Sequence, residues 1–553
     1  MGLSTVAREE RISRGTWMAL AAMGLAVFVI ANDFTAMAVA LADIEHDFNA
    51  DVATVQWVIN AYALVFGVLI ITGGKLADLY GRRRIFFVGA AIFALFSLLG
   101  GLATNAVWLI VARAIMGVGG ALMWPAVLGM TFVALPPRKA GLAGGLILGL
   151  CGIGNAAGPL IGGVLIAAFN WRWILFLNVP IAMVACVVTW LKVHQPTGKT
   201  ADARLDYTGV SVLSIGLVSL LFALDEASAW GFSNPFVLGL FVLFVVLIAV
   251  FPFVEKRAGE QALLPGSLLR SREFASSCVA VLLLSSIFFA AIVYLPEFMQ
   301  KILGYSALEA GLGLLPMMLT FTFTSFAAGT LYERLGAKLI IALGAALMTI
   351  GALLLSFLQP QAGFGSIVAA MILLGIGLGL FISSVTTAGV TALDPSQASL
   401  AGGVIYLFQI AGGSIGLGLV TAVFISTANA SIHAADVANQ LTNVQEQALL
   451  GVLAGTSSAQ TVVNQFPAHA GEFDLIVRGA FAAGMHVSFR LVAAFGALGF
   501  LVAFFFVGGR LHLWRRGAAE TMPIPLPLAR FHHRAYHWGK TPATLKPSGV
   551  PKA

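Results

Sequence analysis

Charge is scarce in this chain. Only 10% of its 553 residues are Asp, Glu, Lys or Arg, against about a quarter in a soluble domain, and 59% are hydrophobic. That deficit excludes an ordinary water-soluble fold and leaves a polytopic membrane protein. Cysteine is scarcer still: Cys151, Cys186 and Cys278 all fall inside apolar runs, so neither a disulfide nor a metal site is expected. Enzyme chemistry has no foothold either. No Ser/His/Asp, metal-binding or phosphate-binding set occurs in the apolar runs, and most of the nine histidines cluster at 433–536. The expectation is no enzyme and no cofactor, and no appended soluble domain of the kind a membrane sensor carries. The net charge of +7 is dispersed over short loops, which argues against a nucleic-acid partner.

What is present is a series of long apolar runs. A span needs about 20 mostly apolar residues, and fourteen runs qualify, from 17–41 to a thirteenth at 399–426 and a fourteenth at 487–508. Arg8, Arg11 and Arg14 precede the first run as they would a signal peptide, but that run is long and holds Asn32 and Asp33, so it reads as an uncleaved span. Alternate loops carry Lys75 with Arg82–Arg84, then Arg138 and Lys139, then Lys192, Lys199 and Arg204, then Lys256, Arg257, Arg270 and Arg272, then Arg334 and Lys338. The intervening loops are acidic or neutral, with Arg172 and Lys301 as minor exceptions. Retention of Lys and Arg on the inner side puts both termini in the cytoplasm.

The runs also repeat. Gly74-Lys-Leu-Ala-Asp-Leu-Tyr-Gly-Arg-Arg-Arg84 has a degenerate copy, Gly329-Thr-Leu-Tyr-Glu-Arg-Leu-Gly-Ala-Lys338, 255 residues later. Ala143-Gly144-Gly145 recurs as Ala401-Gly402-Gly403, and Gly117, Gly119, Gly154 and Gly158 recur as Gly375, Gly377, Gly412 and Gly416, all offset by 258. Spans one to six therefore correspond to spans nine to fourteen, and two spans are inserted between them. The expected plan is a cytoplasmic N-terminus (1–16), a six-helix bundle (17–193), an inserted pair (207–254), a second six-helix bundle (274–508) and a cytoplasmic tail (509–553). Within the second bundle, 427–486 is rich in Ala, Ser, Thr, Asn and Gln and falls outside the membrane. A helical hairpin or flap over the outer mouth and a loop without a role are equally open there. In the tail, Arg510, Trp514, Arg515 and Arg516 read as an interfacial anchor. Two similar halves in a membrane point to a transporter.

The residues now support a resemblance. The 74–84 segment resembles the signature loop of the major facilitator superfamily, Gly-x-Leu-Ala-Asp-x-x-Gly-Arg-Arg/Lys. Arg113 with Gly117 and Gly119 resembles the motif of that superfamily's fourth helix. Gly154-Asn-Ala-Ala-Gly158-Pro159-Leu-Ile-Gly162-Gly163 looks like the fifth-helix motif of its exporters. With Asp33 in the first span, the whole chain is similar to the fourteen-helix drug:proton antiporters. The resemblance implies an all-α fold of two six-helix bundles with two inserted helices. It implies a proton-coupled exporter of amphipathic, cationic drugs or toxic compounds in the inner (cytoplasmic) membrane, working as a monomer between small-molecule substrate and protons in the lipid bilayer. A specific metabolite exporter or importer on the same fold is the alternative.

The candidate residues fall into three groups. Asp33 would cost several kcal/mol as an unpaired charge near mid-bilayer, so it must face the interior, carry a proton or hold a partner, and Arg113 lies at a similar depth. Asp33 is read as the proton carrier, with Glu297, Gln409, Tyr62 and Trp124 as further proton or substrate contacts; Glu297 reads equally as a wet interfacial acid. Some antiporters of this kind carry an acid in span thirteen, where this chain has none between 399 and 426. For the signature loop, the family implies a latch that closes the two halves: Asp78 pairs with Arg82 or Arg83 and caps a neighbouring helix, while Gly74 and Gly81 permit close approach and a tight turn. Glu333 is its weaker counterpart. Finally, Gly154, Gly158, Pro159 and Gly162 are expected to form a seam where helices five and thirteen cross closely, Gly412 and Gly416 supplying the facing surface.

Overall fold

In the computed structural model, residues 12–50, 52–193, 205–231, 234–264, 266–359, 363–439, 442–453 and 470–509 are described. Lys199, Arg204, most of the N-terminal segment, the anchor residues Arg510, Trp514, Arg515 and Arg516, and 440–441 and 454–469 of the 427–486 segment lie outside them. The described residues are almost wholly helical, with no strand among them. Among the described residues, fourteen helices are long and apolar enough to cross a membrane. We number them α1 (Arg14–Val39), α2 (Val52–Tyr80), α3 (Arg82–Gly101), α4 (Ala106–Ala134), α5 (Ala140–Ala168), α6 (Arg172–Lys192), α7 (Tyr207–Trp230), α8 (Pro235–Ala258), α9 (Arg272–Lys301), α10 (Leu315–Leu335), α11 (Ala337–Leu355), α12 (Phe364–Thr391), α13 (Ala398–Asn439) and α14 (Ala470–Phe506).

Local chemistry sets several of these ends. Ser13, Asn105 and Ser271 each accept from a backbone amide in the first turn of α1, α4 and α9, supplying a partner for a donor that has none within the helix. Gly81 and Gly336, the second glycines of the two signature copies, both turn the chain at positive φ, 101° and 86°, where a side chain would be strained. The tenth run is broken: a short helix, Ala307–Gly313, precedes α10, whose entry holds Pro316.

In the first half α1 packs on α5 and α6, α2 on α4, and α3 on α4 and α6; in the second, α9 packs on α13 and α14, α10 on α12, and α11 on α12 and α14. Between the halves, α5 meets α10 and α2 meets α13. The internal repeat is visible atom by atom. A methyl group added at Gly145 would sit 2.7 Å from the Ser325 carbonyl oxygen, and one at Gly403 2.8 Å from that of Ile70. Likewise Gly119 abuts the Gly89 carbonyl and Gly377 that of Gly344, each at 2.7 Å. α7 and α8 pack on each other, and α7 also touches α2 and α13.

Among the described residues, the basic turns other than those at Arg172 and Lys301 fall at one end of the bundle, here the basic end; the other is the far end. Arg172 is no free charge there, since it pairs with Asp47 at 2.7 Å and stacks on Trp171. The far end also holds the largest departure from the hydropathy pattern. α13 does not stop at 426 but continues to Asn439, and α14 begins at Ala470 instead of 487. His486 of α14 bonds the Leu358 carbonyl just past the end of α11, and the turns of α14 before it stay packed in the core, with Phe481 against Phe298 of α9 and Phe424 of α13. A helix at Asn443–Leu453 packs on α13 and α14 of its own half, with Glu446 paired to His433 of α13.

Candidate functional site

Asp33 is fully buried inside the first half. Five helices bring its partners together. Arg113 of α4 donates from Nη1 to Oδ2, and Asn178 of α6 donates to Oδ1 at 2.7 Å. Asn178 also donates to the Ser97 hydroxyl of α3, which in turn donates to the Leu175 carbonyl. Arg113 donates from Nε to the Val58 carbonyl of α2 at 2.9 Å and lies over the Tyr62 ring, 4.4 Å from its centroid. A buried ion pair is costly to desolvate unless further hydrogen bonds satisfy it, and here each carboxylate oxygen has a charged or amide donor. One guanidinium nitrogen, Nη2, remains buried without a partner.

Beside this network lie polar atoms that are buried and unpartnered: both amide atoms of Asn32, Tyr62 Oη and Trp124 Nε1. Tyr62 stacks on Phe66, and Phe66 and Trp124 both meet Tyr406 of α13, at 5.5 and 4.6 Å between ring centroids. An aromatic wall therefore crosses from one half to the other. Gln409 is half-buried on α13 one turn nearer the far end. Glu297 stands apart at the far end of α9, half-exposed and 3.3 Å from Lys301.

At the basic end Asp78 joins the halves. Its Oδ2 accepts from the Leu400 amide at 2.8 Å and its Oδ1 from that of Ser399 at 3.4 Å, in the first turn of α13. A carboxylate there meets unsatisfied amides and the positive end of the helix dipole. Arg82 bonds Asp78 at 2.8 Å and also donates to the Gly129 and Pro395 carbonyls. Gly74 allows the approach, since a methyl group on it would fall 2.8 Å from the Ser399 carbonyl oxygen. The second copy repeats this more weakly: Glu333 accepts from the Leu142 amide of α5 at 3.4 Å, and Gly329 abuts the Gly141 carbonyl. Arg83 does not belong to this group. It donates to the Trp190 carbonyl in its own half and lies over Phe87, because successive residues of a helix point about 100° apart.

The expected seam of α5 against α13 is corrected by the structure. Gly154, Gly158 and Gly162 lie against Phe28, Thr35 and Ala36 of α1, and Gly412 and Gly416 against Leu282 and Ser286 of α9. Equal sequence offsets mark equivalent positions in two halves, and equivalent positions contact equivalent neighbours. Pro159 lies near Gly311, on the short helix before α10. The α5 glycines that do face the other half are Gly141, Gly145, Gly149 and Gly152 against α10, Gly144 against Ser383 and Thr387 of α12, and Gly163 against Leu308 before α10. Sequence reasoning also passed over Asn178 and Ser97; an amide at the centre of the apolar run Trp173-Ile-Leu-Phe-Leu-Asn178-Val was a usable signal.

Comparison with known proteins identifies the family. The family model described as Major Facilitator Superfamily matches residues 23–417. The tetracenomycin C resistance and export protein of Streptomyces glaucescens is 30% identical over 515 residues, covering 93% of this chain and 95% of that protein. The puromycin resistance protein pur8 of Streptomyces alboniger is 34% identical over 431 residues, 76% of this chain and 84% of that protein. Among solved structures, the human organic anion transporter MFSD10 (TETRAN) aligns with a TM-score of 0.57 at 12% identity, covering 88% of this chain and 99% of its own, a likeness of fold alone. With the family model spanning most of its length and fourteen helices arranged as two related halves, the chain belongs to the Major Facilitator Superfamily, as a membrane transporter of small molecules and not an enzyme.

Proposed function

We propose that this chain is a proton-coupled antiporter that exports amphipathic, cationic drugs or toxic compounds across the cytoplasmic membrane by alternating access. The basic end and both termini then face the cytoplasm, as the distribution of Lys and Arg favours. The observation that carries this reading is the Asp33 network. It is the one carboxylate among the described residues that is both fully buried and set among five helices of one half. Protonation of Asp33 removes the charge that holds Arg113 and Asn178, so a proton entering there frees the guanidinium and loosens α1 from α4 and α6.

The closed basic end supports an outward-facing state, held by Asp78 and Arg82. In that state Asp33 is occupied by its partners, so a cationic substrate displaces the proton only after the network has opened; Tyr62, Trp124 and Tyr406 supply the aromatic surface it meets. One proton entering for one monovalent cation leaving moves no net charge across the field, so the pH gradient drives that exchange. Relatives named for resistance to and export of antibiotics support the drug-like substrate class. The test is a proteoliposome screen for compounds that collapse an imposed pH gradient. Active compounds are expected among lipophilic cations, and Asp33→Asn is expected to remove the response; a response undiminished in Asp33→Asn would overturn the coupling assignment.

A further inference from the structure

Lys75 lies on the signature loop but takes no part in the latch as described. It is a buried ammonium, 7% exposed. Its Nζ donates to the Ala262 carbonyl at 2.8 Å. Ala262 belongs to the turn after α8, on the stretch of chain that leads from the inserted pair to α9 and so joins the two halves. The same turn is gripped from its other side: Glu255 of α8 accepts from the Leu263 amide at 3.2 Å and from the Leu264 amide at 2.9 Å. Leu263 and Leu268 are fully buried in the main core. The joining segment is thus packed down at the basic end.

The electrostatics account for a buried lysine there. Glu255, Asp78 and Asp206 all face Lys75 within electrostatic reach. Asp206 caps the first turn of α7 by accepting from the Gly209 amide at 2.9 Å, and its second oxygen is buried without a partner. Gly209 lets the acids of α7 and α8 converge, since a methyl group on it would fall 2.4 Å from Asp206 Oδ2 and 2.8 Å from Glu255 Oε1. Desolvating an ammonium costs several kcal/mol, which the three nearby carboxylates offset in part. Lys75 and Asp78 are three apart on α2 and share a face. One turn of α2 therefore holds the joining segment through Lys75 and the first turn of α13 through Asp78.

We propose that Lys75 is a positioning residue for transport: it seats the 259–264 turn on α2, so that the inserted pair and the latch close the basic end as one unit. This gives α7 and α8 a task that a twelve-helix plan lacks, and it rests on the reading of Asp78 as a latch. Loss of Lys75 leaves Glu255 and Asp206 facing each other without a cation and frees the turn from α2.

The test is a distance measurement on the full chain in nanodiscs. Nitroxides are placed at the exposed positions Arg84→Cys and Arg334→Cys, one in each half at the basic end, with Cys151, Cys186 and Cys278 replaced by Ser. Lys75→Met is expected to raise the ratio of open to closed distances about tenfold, equivalent to about 1.4 kcal/mol. Asp78→Asn is expected to do the same, and the double variant to open no further than either. Lys75→Arg, which keeps the charge and a donor, stays closed. If Asp78→Asn opens the basic end and Lys75→Met does not, or if Lys75→Arg opens it as far as Lys75→Met, the positioning role is overturned while the latch stands. If neither Asp78→Asn nor Lys75→Met opens it, the latch reading falls and this proposal with it. Where Lys75→Met does not accumulate, Glu255→Ala replaces it: the freed turn is expected to open the basic end, and an unchanged distribution overturns the proposal.

Discussion

Asn178 donates to Oδ1 of Asp33 at 2.7 Å while Arg113 holds Oδ2. The carboxylate is shared between an amide of α6 and a guanidinium of α4, so the charge on α1 decides how tightly three helices are drawn together.

Asp33→Asn should therefore lower thermal stability as well as abolish proton-driven export. Breaking a buried pair by removing one partner costs about 3–5 kcal/mol, because the other charge is left uncompensated. Adding Arg113→Gln to Asp33→Asn should restore much of the stability and none of the transport. Thermal unfolding and proteoliposome flux on the same preparations check this; recovered transport in the double variant would mean the pair is structural.

Arg82 and Arg83 should separate sharply despite being neighbours. Arg82 is buried, pairs with Asp78 and bonds the Pro395 carbonyl of the loop before α13, so Arg82→Ala should cut the export rate at least as much as Asp78→Asn does. Arg83 makes an exposed bond within its own half, and such surface contacts are worth about 0–1 kcal/mol. Arg83→Ala should leave flux within about fivefold of wild type, that worth being the upper limit. Equal losses in flux assays of the two variants would refute the assignment.

The two glycine rows should fail in different ways. Gly145→Val forces a side chain into the Ser325 backbone of α10, and Gly154→Val into Phe28 of α1; overpacking of this kind costs about 1–3 kcal/mol. Gly145→Val should open the basic end in spin-label distances. Gly154→Val should leave those distances as they are and impair proton coupling, by shifting the helix that carries Asp33. An open basic end in Gly154→Val would return that row to the seam between halves.

How much of this was legible is best seen in those glycines. The offsets of 255 and 258 carried the whole architecture, and they reappear as paired contacts such as Gly145 with Ser325 and Gly403 with Ile70. The same offsets misled where they were read as contact, since symmetry equates Gly154 with Gly412 without bringing them together. Arg113 was found by depth counting, because a helix rises uniformly. Asn178 needed three dimensions: its distance from Asp33 along the chain hides that α1 and α6 are neighbours. The continuation of α13 past 426 was hidden for another reason. Hydropathy records where lipid ends, whereas a helix ends at a stop signal, and 427–439 contains neither Gly nor Pro.

That continuation has a mechanical consequence. α13 is a single helix of 42 residues, about 60 Å long, twice the roughly 30 Å hydrocarbon thickness. Near one end it bears the amides gripped by Asp78; toward the other it packs on α14 and on the 443–453 helix, whose Glu446 pairs with His433. One rigid element therefore ties the grip at the basic end to the helical cap at the far end. A binder raised against the 443–453 helix would bear on the Ser399–Leu400 grip from across the membrane without entering the translocation path.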